Sequence, residues 1–291
     1  MPLESKFIYI NGVSGFIGRH FIKSCRYRNV FELDRFPLTT VPKIKQGSDV
    51  IFLAGMAHNK AKSNKEFHQI NAEYPVSLAK IAKASGNCRF IYLSSANVYD
   101  KTIGRQPFVE THPTLAVDCY TKSKLVAEEQ LLNLVDDTFE VVILRCPLVY
   151  GEHAPANFEK IKKISELTPF LPFGSARSLR SYLSVGNLCS AIFAIIELPR
   201  IRSGIYNLCD NKPMSTRRLT TLIRQSNNKK VFQIPLPKSI MRFLGKHLGM
   251  SKQVDLLFES MIISNESFCE TTGWSPEESP KSALYKLRNK L

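Results

Sequence analysis

The amino-acid sequence predicts an α/β fold in which a doubly wound parallel sheet is joined to a smaller mixed α/β domain. In the first two-thirds of the chain, short apolar segments alternate with longer segments of helical periodicity, as they do in repeated β-α-β units. The short segments are apolar at almost every position, which is typical of strands covered on both faces. A chain of 291 residues with 44 % apolar and 22 % charged residues is long enough to build such a core.

Each predicted element follows from a local pattern. Five buried strands are expected where β-branched and aromatic residues cluster, at residues 6–10, 29–34, 49–55, 89–95 and 140–145. Three helices are expected between them, at residues 16–27, 66–84 and 120–135. After residue 150 the alternation ends and prolines become frequent. We therefore expect a first domain over residues 1–150, to which residues 181–198 return, and a second domain over residues 151–291.

The composition limits the partners of this chain. Its net charge of +15 favours a phosphorylated ligand, an anionic membrane surface or a polyanion. The chain has no basic run with interleaved aromatic residues, so we expect no nucleic-acid partner. The cysteines and histidines are scattered without ligand spacing, so we expect no metal and reduced thiols. Without a secretory signal or an apolar run of ~20 residues, we expect a cytoplasmic protein.

A glycine-rich loop follows the first predicted strand and precedes the first helix. Its glycines have the spacing G-x-x-G-x-x-G, in the strand–loop–helix context that a dinucleotide-binding loop requires. Glycine permits the tight turn and the close approach of backbone to a pyrophosphate, while the helix amino terminus attracts negative charge. The predicted cofactor-binding residues of this segment are Gly12, Ser14, Gly15, Phe16, Ile17 and Gly18.

The end of the second predicted strand bears on which nicotinamide cofactor is bound. Asp34 can accept hydrogen bonds from both adenosine ribose hydroxyls and repels a 2′-phosphate, which favours NAD. Arg35 follows immediately and could bind a 2′-phosphate instead, so NADP is the alternative. We therefore predict NAD, with both residues in the cofactor site.

A tyrosine and a lysine open the helix predicted at 120–135. Tyr120 and Lys124 are four residues apart and therefore lie on one helical face. A nearby ammonium lowers the pKa of a phenol, ordinarily about 10, so that the phenol can exchange a proton with a substrate hydroxyl. Ser94 and Ser95 end the fourth predicted strand, at the sheet edge where α/β proteins bind ligands. Ser95 could hold the hydroxyl or ketone that reacts.

Five motifs recur in the order and spacing of a known family. They are NGVSGFIG at 11–18, LAG at 53–55, LSSANVY at 93–99, YTKSK at 120–124 and LRCPLVYG at 144–151. With them the chain resembles the extended short-chain dehydrogenase/reductases, in particular the nucleotide-sugar epimerase/dehydratase family, over nearly its whole length. The resemblance implies a Rossmann-type first domain that binds NAD(P) and a second domain that binds a nucleotide-diphospho sugar.

The resemblance also implies roles for individual residues. The implied catalytic residues are Ser95, Tyr120 and Lys124, of which Tyr120 transfers the proton and Lys124 bonds the nicotinamide ribose. The cofactor site gains Leu53, Ala54, Gly55, Asn71 and Pro147. The implied substrate-binding residues are Ser95, Ala96, Asn97, Asn157 and Arg180, the last two at the diphosphate.

Motifs of the C-terminal half are similar to those of enzymes that make UDP-linked N-acetylamino sugars for bacterial surface polysaccharides. This implies chemistry at C4 of the sugar, by a 4-epimerase of the UDP-glucose or UDP-N-acetylglucosamine type. The alternative is a 4-keto reductase that makes a UDP- or dTDP-linked 6-deoxy sugar for O-antigen or capsule. A non-catalytic cofactor sensor is a more remote alternative, because such proteins typically lose the tyrosine or the lysine.

Two surfaces suggest further partners. The helices predicted at 66–84 and 120–135 have apolar stripes that relatives often pair into a dimer interface, so we expect a homodimer. Residues 238–250 are basic and amphipathic, and could lie on an anionic membrane surface. We favour the interpretation that their apolar face enters the core of the second domain.

Overall fold

The computed structural model describes residues 6–33, 43–56, 63–86, 88–103, 107–247, 249 and 251–286. In chain order the strands are β1 Phe7–Asn11, β2 Asn29–Leu33, β3 Asp49–Phe52, β4 Cys88–Ser95, β5 Phe139–Cys146, β6 Leu148–Tyr150, β7 Phe170–Leu171, β8 Leu179–Arg180, β9 Tyr182–Ser184, β10 Gly204–Asn207, β11 Met214–Ser215 and β12 Phe232–Gln233. The α-helices are α1 Phe16–Ser24, α2 Asn64–His68, α3 Tyr74–Ala84, α4 Cys119–Leu132, α5 Asn157–Leu167, α6 Val185–Glu197, α7 Thr216–Ser226, α8 Lys238–His247, α9 Ser251–Leu257, α10 Glu266–Thr272 and α11 Pro280–Lys286.

Six of these strands form one parallel sheet, in the order β10-β5-β4-β3-β1-β2. The strand order reverses direction beside β1, as it does in a doubly wound sheet. The predicted fold class is therefore confirmed, and β1 to β5 lie where five strands were expected. The sixth strand, β10, belongs to the second half of the chain, where no strand of this sheet was predicted. The helix expected at 66–84 is divided into α2, a π-helical turn at Gln69–Glu73, and α3.

The sheet is covered on both faces because successive side chains of each strand point in opposite directions. One face packs against α1 and α6 through Ile8, Ile10, Ile91, Val142 and Leu144. The other face packs against α3 and α4 through Tyr9, Phe90, Tyr92, Val141 and Ile143. This two-sided burial explains why the strands read as continuous apolar runs.

A buried carboxylate joins the end of β10 to β6, β9 and α6. Asp210, just after β10, accepts hydrogen bonds from the hydroxyl of Tyr150 at 2.7 Å and the side-chain amide of Asn187 at 2.7 Å. It also accepts from the backbone amide of Ser184 at 3.1 Å. Burial raises the pKa of Asp210, and these donors oppose the increase. The network fixes the start of α6 against β6, close to the sheet.

Helix α8 packs one apolar face into the core, as in the interpretation we favoured, and leaves a second apolar side exposed. Met241 and Gly245 are buried, as a core-facing helix requires. Ile240, Phe243 and Leu244, however, are 47 %, 63 % and 49 % exposed. The helix therefore has apolar residues on two sides, and only one of these sides packs against the core.

The exposed large apolar side chains described by the structure include none on α3 or α4, the helices on which the homodimer prediction depends. The homodimer stays a prediction. None of the described helices is long and apolar enough to cross a membrane.

Candidate active site

The glycine loop between β1 and α1 is closely packed backbone. Gly12 has a φ of 87°, in the left-handed region that favours glycine, and a Cβ there would lie 2.7 Å from the amide nitrogen of Ala54. A Cβ on Gly18 would lie 2.5 Å from the Cα of Val13 and closer still to the carbonyl oxygen of Gly12. The three glycines therefore let the loop, β3 and α1 approach one another more closely than side chains would allow.

The start of α1 offers a binding position for an anion. Its N-cap is Gly15, which has no side-chain oxygen to accept from the first-turn amides. Those amides and the positive end of the helix dipole favour a phosphate group. Ser14, Phe16 and Ile17, which are also predicted to bind the cofactor, lie in the same segment. The loop thus fits the pyrophosphate of a dinucleotide.

Leu53, Ala54 and Gly55 connect this loop to the predicted catalytic helix. The amide of Leu53 donates to the carbonyl oxygen of Asn11 at 3.2 Å, which continues the contact between β3 and β1. A Cβ on Gly55 would lie 3.6 Å from Nζ of Lys124 and 3.7 Å from Oδ1 of Asn71. The structure therefore brings the glycine loop, Asn71 and Lys124 to one edge of the sheet.

Asn71 is buried at the centre of the π-helical turn. Its Oδ1 accepts from the amide of Met56 at 2.8 Å, and its Nδ2 donates to the carbonyl oxygen of Met56 at 3.1 Å and to Oγ of Ser123 at 3.2 Å. The side chain thereby ties the segment after β3 to α4. A π-helical turn within an α-helix is rare and is frequent at functional sites.

The ammonium of Lys124 is buried against β4. It donates to the carbonyl oxygen of Leu93 at 2.9 Å and lies 4.6 Å from the ring centroid of Tyr92, a cation–π distance. Burial lowers the pKa of Lys124 to about 8, and the carboxylate of Glu128 opposes this decrease. At neutral pH the site therefore retains a desolvated positive charge.

Tyr120 stands in the first turn of α4. The helix starts here because Asp118 is its N-cap: its carboxylate accepts from the amide of Thr121 at 2.8 Å, and the Thr121 hydroxyl accepts from the amide of Asp118 at 3.2 Å. The side chain of Ser95 lies close enough to the phenol of Tyr120 to lower its pKa. The predicted catalytic serine and tyrosine thus meet.

The expected lowering of the Tyr120 pKa by Lys124 is not found. Burial raises the pKa of Tyr120 above its usual value and outweighs the opposing effect of Ser95. The physical reason is that the ammonium of Lys124 donates to the carbonyl oxygen of Leu93 and lies over the ring of Tyr92. Burial meanwhile removes water from the phenol of Tyr120. In this structure, the protonated phenol is therefore the favoured form.

A buried ion pair lies behind these residues. Arg145 on β5 donates to both carboxylate oxygens of Glu128 on α4, with Nη2 to Oε2 at 2.6 Å. The hydroxyl of Ser94 also donates to Glu128. The pair fixes α4 against β4 and β5, and so sets the position of Lys124 one turn earlier.

The segment after β4 forms a short 3₁₀ turn over Ala96–Val98. Ser95 caps this turn by accepting from the amide of Asn97 at 3.2 Å. Pro147 lies one residue beyond the partner of Ser95 in the β4–β5 ladder, Cys146. These residues therefore surround the serine at the carboxyl edge of the sheet, where a sugar would have to bind next to the cofactor.

The two residues expected at a diphosphate lie on separate elements. Asn157 begins α5, whose N-cap Ala156 has a φ of 59° and provides no side-chain cap. Arg180 donates from Nη1 to the carbonyl oxygens of Leu256 at 3.1 Å and Glu259 at 3.0 Å. Neither bond joins Arg180 to Asn157, so a ligand would have to bridge them.

Asp34 and Arg35, also predicted to bind the cofactor, lie outside the described residues.

Sequence reasoning missed several residues that support the site. Tyr92, whose ring lies against the ammonium of Lys124, was predicted only to be part of a strand. Glu128 and Arg145, which form the buried ion pair, are 17 positions apart in the chain. Glu128 carried a usable signal, because a carboxylate exactly one helical turn after Lys124 lies on the same face. Ala156 carried none, since a positive φ is uncommon for any residue other than glycine.

The fold and the glycine loop are those of a dinucleotide-binding protein. Within that class, the chain belongs to the NAD dependent epimerase/dehydratase family, whose sequence profile matches residues 8–209. The family and the NAD cofactor predicted from the sequence are thereby confirmed, as is an enzyme of the nucleotide-sugar epimerase/dehydratase type.

Relatives agree with this placement. The chain is 29 % identical to a UDP-glucose 4-epimerase of Vibrio cholerae, over 94 % of this chain and 92 % of the relative. It is 23 % identical to an N-acetyl-alpha-D-glucosaminyl-diphospho-ditrans,octacis-undecaprenol 4-epimerase of Escherichia coli O157:H7, over 91 % of this chain and 86 % of the relative. The crystal structure of a UDP-N-acetylglucosamine 4-epimerase from Bacillus cereus covers 98 % of both chains with a TM-score of 0.71 at 14 % identity, which shows the shared fold.

Substituting Gly18 tests the packing of the loop. Gly18→Ala should lower the free energy of unfolding by about 1–3 kcal/mol, because a methyl group would overlap backbone that cannot rotate away. It should also weaken NAD binding, measured by calorimetry. Gly204→Ala is the matched control, since a Cβ there meets nothing within 4 Å. Equal stability of the two variants in urea would contradict the packing described.

Substituting Lys124 tests the cost of its buried charge. Lys124→Met should raise the free energy of unfolding at pH 7 by ~2 kcal/mol, because the desolvated ammonium is removed. Between pH about 8 and its usual pKa of 10.5, the folded chain has released a proton that the unfolded chain still holds. The stability of the unmodified protein should therefore rise with pH across this window, and the advantage of the variant should shrink. Urea unfolding from pH 7 to 10 measures this, with exposed Lys122→Met as the control.

Proposed function

We propose that this protein is a UDP-sugar 4-epimerase of the UDP-glucose or UDP-N-acetylglucosamine type, in which Tyr120 transfers the proton at C4. The observation that carries the proposal is the meeting of Ser95 and Tyr120 at the sheet edge, with the Lys124 ammonium one turn away. The 29 % identity to the Vibrio cholerae UDP-glucose 4-epimerase over nearly the whole chain supports the same reaction.

The chain's own residues divide the chemistry between them. Ser95 hydrogen-bonds the C4 oxygen and holds it against Tyr120. The oxygen of Tyr120 takes the proton of the 4-hydroxyl and later returns it to the same oxygen, so no net proton is consumed. Bound NAD supplies the acceptor and donor for the C4 hydride. Lys124 would bind the nicotinamide ribose with its ammonium, one helical turn from Tyr120.

We further propose that residues 1–150, with 181–198, bind NAD and that residues 151–291 bind the nucleotide sugar. The uncapped start of α5 at Asn157 provides amides and a positive dipole end for the diphosphate. Arg180 adds a half-buried guanidinium whose described hydrogen-bond partners are carbonyl oxygens and a thioether, so its charge is left for an anionic ligand.

A 4-keto reductase is the second candidate, and a different observation favours it. Burial raises the pKa of Tyr120, so the protonated phenol predominates in the structure. A protonated phenol is the form that donates to a ketone oxygen when NAD(P)H delivers hydride to a 4-keto-6-deoxy sugar. The same residues would serve both reactions, which differ in substrate and in the starting redox state.

The cofactor that copurifies separates the two reactions. An epimerase should retain NAD+ and interconvert UDP-glucose and UDP-galactose, or their N-acetylamino counterparts, without net change in absorbance at 340 nm. A reductase should consume NAD(P)H stoichiometrically with a 4-keto sugar nucleotide. Product analysis by NMR on a panel of UDP- and dTDP-sugars therefore decides between them, and stoichiometric oxidation would overturn the epimerase proposal.

Tyr120→Phe tests the proposed proton transfer. Turnover should fall about 10²–10⁴-fold, because the ring remains while the proton-exchanging oxygen is lost. The affinity for NAD, measured by calorimetry, should stay within about twofold of the unmodified protein. Tyr285→Phe on α11 is the control and should retain full turnover. A Tyr120→Phe protein with unreduced turnover would refute the assigned role.

A further inference from the structure

The positive charge of this chain is concentrated in one long segment. Between Asp210 and Asp255 the sequence has ten Lys or Arg residues and no Asp or Glu. These ten account for most of the net charge of +15. An uninterrupted cationic segment of this length favours contact with an anionic surface over contact with a neutral one.

Helix α8 lies within this segment and has two apolar sides. On its inner side, Met241 packs in a cluster with Leu171 and Val254. On its outer side, Ile240, Phe243 and Leu244 are about half exposed or more. These three residues have the i, i+3, i+4 spacing of one helical face, so they form a continuous apolar strip that points away from the core. We call these three residues the α8 strip.

Basic side chains border the α8 strip. Lys246 is exposed, and His247 packs edge-on against the ring of Phe243 with 4.7 Å between ring centroids. Lys238 is exposed too, but its ammonium lies over the ring of Phe258, 5.6 Å from the ring centroid. Arg242 also lies on the surface, although it is paired with Asp255 at 2.9 Å. A helix with an outward apolar face and a flanking row of cations matches the composition of helices that lie in the plane of a membrane interface.

We propose that the α8 strip docks this protein onto the surface of an anionic lipid bilayer. Apolar side chains of the strip would enter the boundary between headgroups and acyl chains, while Lys246 would contact lipid phosphates. A nucleic acid would satisfy the cations and leave Phe243 and Leu244 without an apolar environment. A second copy of the same face would bring like charges together, which opposes association. The proposal is independent of the reaction at Tyr120.

Vesicle binding by the full-length protein tests the proposal. Sedimentation with vesicles of phosphatidylcholine containing about 30 % phosphatidylglycerol should recover at least about tenfold more protein than vesicles of phosphatidylcholine alone. The recovery should fall as salt is raised, because screening weakens the contact of cations with anionic lipid. The double variant Phe243→Ser with Leu244→Ser should lose about tenfold or more of this binding.

Matched variants separate the strip from general surface properties. Leu167→Ser removes another exposed apolar side chain, on α5, and should bind vesicles as the unmodified protein does. Lys246→Glu should weaken binding, whereas Lys80→Glu on α3 should do so much less. Thermal unfolding of each variant checks that it is folded.

Two results would overturn the proposal. One is equal binding to anionic and neutral vesicles, or none to either. The other is an oligomer, measured by light scattering, that the Phe243→Ser and Leu244→Ser changes dissociate in a protein that does not bind vesicles. That second result would assign the α8 strip to contact between copies of this chain.

Discussion

The burial of the Lys124 ammonium is the constraint on which the candidate site depends. A desolvated charge is tolerated only where neighbouring groups compensate it, and here the carbonyl of Leu93 and the ring of Tyr92 do so. Gly55 has no side chain that would occupy the space beside the ammonium. The π-helical turn places Asn71 within reach of both the segment after β3 and α4. These features together surround one charge at the carboxyl edge of the sheet.

The ion pair between Glu128 and Arg145 shows how the same region balances its charges. A buried carboxylate without a partner would be strongly destabilising, and Arg145 supplies a bidentate partner within the apolar layer between α4 and β5. Glu128 in turn opposes the decrease in the pKa of Lys124 that burial causes. The charges of Arg145, Glu128 and Lys124 therefore stabilise one another, although burying them costs folding free energy, as is usual for functional sites.

Much of the fold followed from local patterns, whereas the remainder depended on contacts between distant residues. Continuous apolar runs identify β1 to β5 because both sheet faces are covered, and the glycine spacing identifies the dinucleotide loop. Ser95, Tyr120 and Lys124 could be found because they belong to short motifs. The raised pKa of Tyr120 could not, because it reflects burial by several elements at once. The exposure of one side of α8 could not be predicted either, since periodicity does not tell which of two apolar faces packs against the core.

The position of β10 has a consequence for the way this chain reaches its native state. β10 pairs with β5 through residues about 60 positions apart, after α5, α6 and four short strands have intervened. During synthesis, the edge of β5 that pairs with β10 therefore stays unpaired until the ribosome has made most of the chain. An open parallel edge of Val and Ile is a template for association between nascent chains. A premature stop before β10 should thus yield insoluble protein rather than a smaller, independently stable cofactor-binding fragment.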